Sequence, residues 1–321
     1  MLRWRGLDDV PAGWGRCVVT IGVFDGIHRG HAQLVTAATR AAAERGVPSV
    51  LMTFDPHPSE VVRPGTHPPQ LSTLRRRADL AEEMGVDVFC VIPFTSTVAA
   101  QSPEEFVHEV LVEELHAAEV VVGDNFTFGH KALGDVPKLR ELGQRFGFEV
   151  TAVSLFGEHA VTYSSTYIRS CIASGDVELA AEALGRPHRV EGAVVHGERR
   201  GRDLGYPTAN IAPPEHAAIP GDGVYAAWFT VLGDKEGEGF RLGRRYAASV
   251  SVGTNPTFSG RNRTVEAYVL DLDADLYGQH VAVDFVSRLR GMESYDGVDA
   301  LIAAISDDVT RTRTILSADE N

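Results

Sequence analysis

Residues 16–31 read RCVVTIGVFDGIHRGH. Arg16–Val23 is a short apolar run rich in β-branched residues, with Gly22 near its end. The Ala-rich segment 32–44 (AQLVTAATRAAAE) follows and reads as a helix. A glycine-rich turn from strand to helix lets backbone N–H groups approach a phosphate, and the helix N-terminus favours the anion. His28 and His31 are three apart, a spacing that puts both rings on one helical face. Two imidazoles there suit charge developing on a polyphosphate. The plainer alternative is a helix cap flanked by two surface histidines.

Working outward, the first half keeps alternating. Strands are expected at Val47–Phe54, Val86–Pro93, Glu119–Val122 and Phe148–Val153, and helices at Leu74–Met84, Pro103–Leu115 and Val136–Phe146. Near-continuous apolar strands separated by helices imply a parallel sheet covered on both faces. Ligands of such sheets lie outside the carboxyl ends of the strands. Two short helices, Thr166–Ser174 and Val177–Leu184, precede a break at Gly185–His188 (GRPH), which places a domain boundary at 186. Domains 1–186 and 187–321 result. The second half changes period. Arg189–His196, Val224–Leu232, Tyr246–Val252, Thr264–Asp271 and His280–Arg290 read as consecutive strands, which makes an antiparallel barrel or sandwich. A final helix, Val298–Leu316, carries an apolar stripe at Leu301, Ile302, Ile305 and Val309 that should pack on it. The charged segment Asp234–Glu238 reads as a solvated hairpin tip.

A chain of 321 residues is long enough for two domains and a sizeable core. Its net charge of −14 makes nucleic acid a poor default partner. Cys17, Cys90 and Cys171 are odd in number and far apart, so neither a disulfide framework nor a zinc knuckle is indicated. No secretory signal is visible and no run of 18 apolar residues occurs, so a membrane is not expected and a reducing, cytoplasmic setting fits. A monomer or transient homo-oligomer is the expected state.

Three further segments accompany GVFDGIHRGH in the first domain. Thr53–Pro58 (TFDPHP) ends the second strand, and Pro56 and Pro58 stiffen a loop around His57 at the sheet's carboxyl edge. Gly123–His130 (GDNFTFGH) offers the amide of Asn125, while Phe126 and Phe128 suit either the core or the flanks of a ring system. Ser164–Arg169 (SSTYIR) puts Ser165 and Thr166 where N-cap hydroxyls belong, with Arg169 able to fork onto phosphate oxygens. In the second domain, 196–210 (HGERRGRDLGYPTAN) is glycine- and arginine-rich but is no Walker A loop, because no G-K-[ST] follows. Pro207 fixes the turn, so that Thr208 and Asn210 can present two oxygens to Mg²⁺; a flexible basic loop with an ordinary turn is the plainer reading of the residues alone. Glu266 sits inside a strand, TVEAYVLD, sharing a face with Tyr268 and Leu270; a solvent-facing Glu is the plainer reading.

These motifs, in this order, resemble prokaryotic bifunctional riboflavin kinase/FAD synthetases across nearly the whole chain. Tyr206 stands where the family's G-F-P-T-A-N has Phe, and Tyr295 where Phe is usual. The resemblance implies a Rossmann-like nucleotidyltransferase domain with a parallel sheet, then an antiparallel flavokinase-like β-barrel with a terminal helix. It implies ATP contacts from Gly22, Phe24, Asp25, Gly26, His28, His31, Asn125, Ser165, Thr166 and Arg169 in the first domain. In the second it implies ATP contacts from Gly197, Gly201, Arg202, Gly205, Thr208 and Asn210, with Thr208 and Asn210 on Mg²⁺. Glu266 takes the role of catalytic base, and His28, His31 and Arg169 act on the ATP phosphates. Pro56, His57, Pro58, Asn125, Arg290 and Met292 are implied on the flavin side. PGDGVYA (220–226), SVSVGTNPTF (249–258) and DLYG (275–278) also match and suit tight barrel corners. The implied small molecules are riboflavin, FMN, FAD and ATP. A non-catalytic flavin or nucleotide sensor is disfavoured, because it needs neither the histidines nor Thr208, Asn210 and Glu266.

Overall fold

The computed structural model describes residues 1–154, 163–197, 201, 204–233, 236–254 and 263–319. The chain packs as two compact units. The first is Met1–Pro68 with Leu74–Ser164; the second is Pro69–Thr73 with Ser165–Asn321.

The first unit is a parallel sheet of six strands in the order β1-β4-β3-β2-β5-β6. These are β1 (Leu2–Arg5), β2 (Cys17–Ile21), β3 (Ser49–Asp55), β4 (Val88–Pro93), β5 (Ala117–Gly123) and β6 (Glu149–Val153). The edge strand β1, beside β4, is absent from the sequence reading. Its four residues alternate arginine with apolar side chains, so it lacks the continuous apolar run that marks the inner strands. Between the strands lie α1 (Arg29–Arg45), α2 (Pro58–Val62), α3 (Leu74–Glu83), α4 (Ser96–Ala100), α5 (Pro103–Phe106) and α6 (Val136–Phe146). The helix expected over Pro103–Leu115 is α only at its start. Ser102 and Glu105 form a capping box, and Val107–Glu114 then winds as a π-helix. The middle strands are buried on both faces, as alternation requires. Val19, Ile21, Val50 and Met52 join Phe106, Leu111, Leu139 and Leu142 on one side. Leu51 and Phe89 join Phe24, Val35 and Leu80 on the other.

The second unit is a closed antiparallel barrel in the order β10-β11-β8-β7-β12-β9. Its strands are β7 (His188–Val195), β8 (Ala209–Ala212), β9 (Gly223–Val231), β10 (Arg245–Thr254), β11 (Arg263–Val269) and β12 (His280–Arg290). β8 is the strand that the sequence reading lacks; four residues after a Pro-containing turn carry too little periodicity to stand out. Tyr225, Phe229, Val250, Val265, Ala267 and Phe285 fill the barrel. On its outer wall Val224, Trp228 and Leu289 pack against Leu316 of the terminal helix α9 (Val298–Asp319).

The sequence places a boundary at 186, whereas packing groups the two preceding helices, α7 (Ser165–Ser174) and α8 (Val177–Leu184), with the barrel. Val177 belongs to the barrel's core. The Glu178 carboxylate accepts from Ser287 Oγ at 2.7 Å and from the Arg288 N–H at 3.0 Å. Residues 69–73 join the same unit through Gln70, whose N–H donates to His216 O at 2.6 Å.

Candidate active sites

In the first unit, β3, β2 and β5 are parallel neighbours, so the segments following them emerge at one edge of the sheet. These are TFDPHP, GVFDGIHRGH and GDNFTFGH. His28 is the N-cap of α1; its Nδ1 accepts from the His31 N–H at 3.3 Å. The two rings stack with centroids 3.7 Å apart, and Phe24 meets His31 edge-on at 5.2 Å. A Cβ on Gly30 would lie 3.2 Å from the His28 imidazole and 3.4 Å from Tyr163 O, so this turn needs glycine for close approach.

The loop before α1 is strained. Phe24 and Ile27 hold φ of 52° and 36°, left-handed values that side chains disfavour. It is pinned from beneath. Asp25 is 1% exposed and faces the Arg77 guanidinium of α3 at 3.5 Å. Arg77 Nη1 and Thr53 Oγ1 both donate to Val23 O, at 3.2 and 2.8 Å. Sequence reasoning missed Arg77. The available signal is that Arg77 falls on the apolar stripe of its own helix, with Leu80, Ala81 and Met84 at helical spacing, where a cation needs a buried partner.

Of the remaining first-unit residues, Asn125 is exposed beyond β5. Phe126 and Phe128 stack on each other at 5.5 Å; Phe128 is buried in the core and half-buried Phe126 packs against it. Pro56 follows a cis bond from Asp55, and His57 Nδ1 caps α2 by accepting from the Ser59 N–H at 3.1 Å, with Pro58 in the first turn. In α7, which belongs to the second unit, Ser165 and Thr166 occupy the first turn, so the N-cap position falls to Ser164. Arg169 Nε donates to Pro69 O at 2.7 Å.

In the barrel, strand register builds a row. Asn210 of β8 pairs with Glu266 of β11, which pairs with Ser251 of β10. Directly paired residues share a face. Val265 and Ala267 fill the barrel, so Glu266 and Asn210 lie on its outer wall, with Thr208 two residues before Asn210 on the same side. Tyr206 meets Tyr268 edge-on at 5.2 Å. A Cβ on Gly197 would overlap the Asn210 amide, and one on Gly201 would overlap Tyr206 O. Gly205 has φ of 84°. Arg202 and residues 255–258 lie outside the described residues, as do 234–235 of the expected hairpin tip. A cavity of about 670 Å³ is lined by Pro207, Thr208, Leu276 and Tyr277 with the inward-facing Ala267 and Val269, among others, so it takes in Thr208 but not Asn210 or Glu266. The Thr208 hydroxyl and Asn210 amide oxygen are hard neutral donors, the type Mg²⁺ accepts beside phosphate oxygens. Arg290 is taken up elsewhere: its Nε and Nη2 bind Asp308 of α9 at 3.0 and 2.7 Å, while Met292 is exposed. Thiol chemistry has no place in either site. Cys17 and Cys90 are fully buried, and burial pushes both thiols up to about 12.

Residues 11–167 match the family model for FAD synthetase, and residues 184–316 match that for riboflavin kinase. A curated bifunctional riboflavin kinase/FMN adenylyltransferase from Escherichia coli (strain K12) is 35% identical over 297 residues, 92% of each chain. The chain belongs to this bifunctional riboflavin kinase/FMN adenylyltransferase family. A family member from Pseudomonas fluorescens is 35% identical over 97% of this chain and 96% of that one. A solved structure from Streptococcus pneumoniae, described as a macrolide-efflux protein, superposes with a TM-score of 0.86 at 31% identity, covering 98% of this chain and 99% of that chain. That likeness supports the two-part fold. Among the described residues no helix is long and apolar enough to cross a membrane.

Proposed function

We propose that residues 187–321 phosphorylate riboflavin to FMN and that residues 1–186 transfer an adenylyl group from ATP to FMN, giving FAD and pyrophosphate. In the first reaction Glu266 takes the proton from the riboflavin 5′-hydroxyl as that oxygen attacks the γ-phosphorus of ATP. The observation that carries this reading is the Asn210–Glu266 register, which sets a carboxylate beside the candidate Mg²⁺ ligands Thr208 and Asn210. Gly197, Gly201, Arg202 and Gly205 form the loop over the nucleotide phosphates. Thr208 and Asn210 would hold Mg²⁺, which would supply neutralisation of phosphate charge.

In the second reaction an FMN phosphate oxygen attacks the α-phosphorus in line, and no protein nucleophile is needed. Positioning and charge neutralisation supply the catalysis. The α1 N-terminus with the stacked His28 and His31 binds the phosphates, and Ser165, Thr166 and Arg169 hold the triphosphate. Gly22, Phe24 and Gly26 shape the loop, while Asp25 holds it from beneath. Pro56, His57, Pro58 and Asn125 line the flavin side, with Met292 serving the kinase's flavin; Arg290 acts there through the support it gives α9. The net charge of −14 favours small-molecule substrates over nucleic acid. A cytoplasmic monomer or transient homo-oligomer fits the buried free thiols.

The test is to incubate the chain with riboflavin, ATP and Mg²⁺ and to separate the flavins over time. Glu266→Gln should stop FMN formation while FAD still forms from supplied FMN, and His28→Ala with His31→Ala should do the reverse. Loss of both activities from either variant, in a folded protein, refutes one reaction per domain.

A further inference from the structure

The helix α7 ends where the barrel grips it. The last carbonyls of a helix have no partner within it, and here two of them are taken by barrel residues. The Gly221 N–H donates to Ile172 O at 2.9 Å, and Arg288 Nη1 donates to Ser174 O at 3.2 Å. Arg288 Nη2 also donates to Asp222 O at 2.7 Å, so one guanidinium ties the end of α7 to the turn that carries Gly221. The backbone of Arg288 is engaged as well, since its N–H donates to Glu178 of α8 at 3.0 Å. We propose, on the assignment of Ser165, Thr166 and Arg169 to the ATP triphosphate, that Arg288 is a positioning residue for adenylyl transfer and acts through α7.

The packing around this guanidinium is close. A Cβ on Gly175, which follows α7 with φ of 87°, would lie 2.7 Å from Tyr225 Oη and 3.1 Å from Arg288 Cζ. One on Gly221 would lie 2.8 Å from Ala173 O. Glycine is what lets the two backbones meet. Tyr225, in the barrel core, donates its hydroxyl to Gly221 O and so fixes the same turn from inside. The Asp222 carboxylate is engaged by Arg263 Nε at 2.9 Å, while Arg288 takes the Asp222 carbonyl. Arg288 Nε is buried with no acceptor among the described residues, so the guanidinium is set for two carbonyls rather than for its own full satisfaction. A cation also suits this end of α7, because the carbonyl end of a helix carries partial negative charge and its other end favours anions.

The other end of α7 is the one assigned to phosphate. Ser165 and Ser174 are its first and last residues, about 14 Å apart along the axis. With the carbonyl end as pivot, a tilt of about 4° over that length carries the first turn by about 1 Å. A shift of about 1 Å takes a hydrogen bond of ordinary length out of range. Arg288 thus governs contacts that it does not itself make. The kinase row lacks this dependence: in the closed order β12 and β11 stand three places apart in either direction, so Arg288 lies across the barrel from Glu266.

The experiment is steady-state kinetics of both reactions in the full chain, comparing wild type with Arg288→Met and Arg288→Lys, and with Arg169→Met alongside. Arg288→Met should raise the KM for ATP in FAD formation at least tenfold, while kcat and KM of FMN formation stay within twofold. Lysine keeps the cation but cannot span two carbonyls, so that variant should fall between. An unchanged KM for ATP in FAD formation, or an equal fall of both activities in a folded variant, overturns the proposal; the equal fall is what a purely structural role gives. If Arg288→Met fails to fold, Arg288→Lys decides by the same comparison. If Arg169→Met weakens FAD formation and Arg288→Met does not, the role of Arg288 falls alone. If neither weakens it, the assignment of α7 to the triphosphate falls as well.

Discussion

Replacing Arg77 with Met separates structural support from chemistry in the adenylyltransferase unit. The side chains of Arg77 and Asp25 are 4% and 2% exposed and 3.5 Å apart. Methionine keeps much of the volume and removes the charge, leaving a buried carboxylate with that cation gone. Breaking such a pair from one side destabilises by about 3–5 kcal/mol. Val23 O also loses one of its two side-chain donors, for which about 1 kcal/mol is ordinary. The strained backbone at Phe24 and Ile27 is sustained only by what surrounds it, so the loop should relax and take the His28 cap with it. Two measurements apply. Denaturant unfolding should show an earlier transition for the first unit, and FAD formation from FMN should fall at least tenfold while FMN formation from riboflavin stays within twofold. Arg77→Met with Asp25→Asn, which removes the carboxylate's charge along with the guanidinium's, should recover part of the lost stability. The reasoning is refuted if the single variant unfolds at the wild-type midpoint, or if the double variant is no more stable than the single.

Other perturbations report on other parts of the fold. Asp308→Ala removes the buried acceptor, 2% exposed, that holds Arg290; hydrogen exchange across α9 should speed up by a factor consistent with about 3–5 kcal/mol, without change at β2 or β5. Gly30→Ala puts a methyl 3.2 Å from the His28 ring, an overpacking of about 1–3 kcal/mol that outweighs the helix-propensity gain of about 1; FAD formation should drop and FMN formation should not. Cys17 and Cys90 have thiols raised from 9.0 to about 12 by burial, so they should resist maleimide labelling until the protein unfolds. Because the folded value is the higher one, their contribution is complete below pH 9 and is lost as pH rises towards 12, at about 1.4 kcal/mol per pH unit for each thiol. Replacing both with Ser, or with Ala, should flatten that limb of the stability profile.

How much was legible depends on the range of the interaction involved. The inner strands announce themselves because a parallel strand covered on both faces is a near-continuous apolar, β-branched run, as CVVTI is in β2 with Thr20 its one polar residue. β1 and β8 escape because each has only four residues, too few to show a period, and is held by its pairing with other strands, β4 in one case and β7 and β11 in the other. The grouping of α7 and α8 has the same origin. Nothing within residues 165–184 encodes the contact that Glu178 makes with Ser287, more than a hundred positions away.

The site follows the same rule, and this explains why its motifs read clearly while their supports do not. A loop that cradles phosphate is written locally: Gly30 is glycine because His28, two residues earlier, occupies the space a Cβ would need. The stacked pair of histidines likewise follows from spacing and a helix start. Glu266 lies between the two cases. Its strand face is local, but its proximity to Asn210 comes only from register, so the sequence alone leaves a solvent-facing glutamate as the simpler reading. Arg77 and Asp308 stand at the far end. Each is a charged residue on an otherwise apolar helical face, and each meets its opposite charge on another element, Asp25 in one unit and Arg290 in the other. A charge on an apolar stripe therefore signals that a partner exists without saying where. In this chain one such partner lies on the loop that carries His28, and the other is the last residue of a barrel strand, so in both places the buried pair ties a helix to a neighbouring segment rather than filling the core alone.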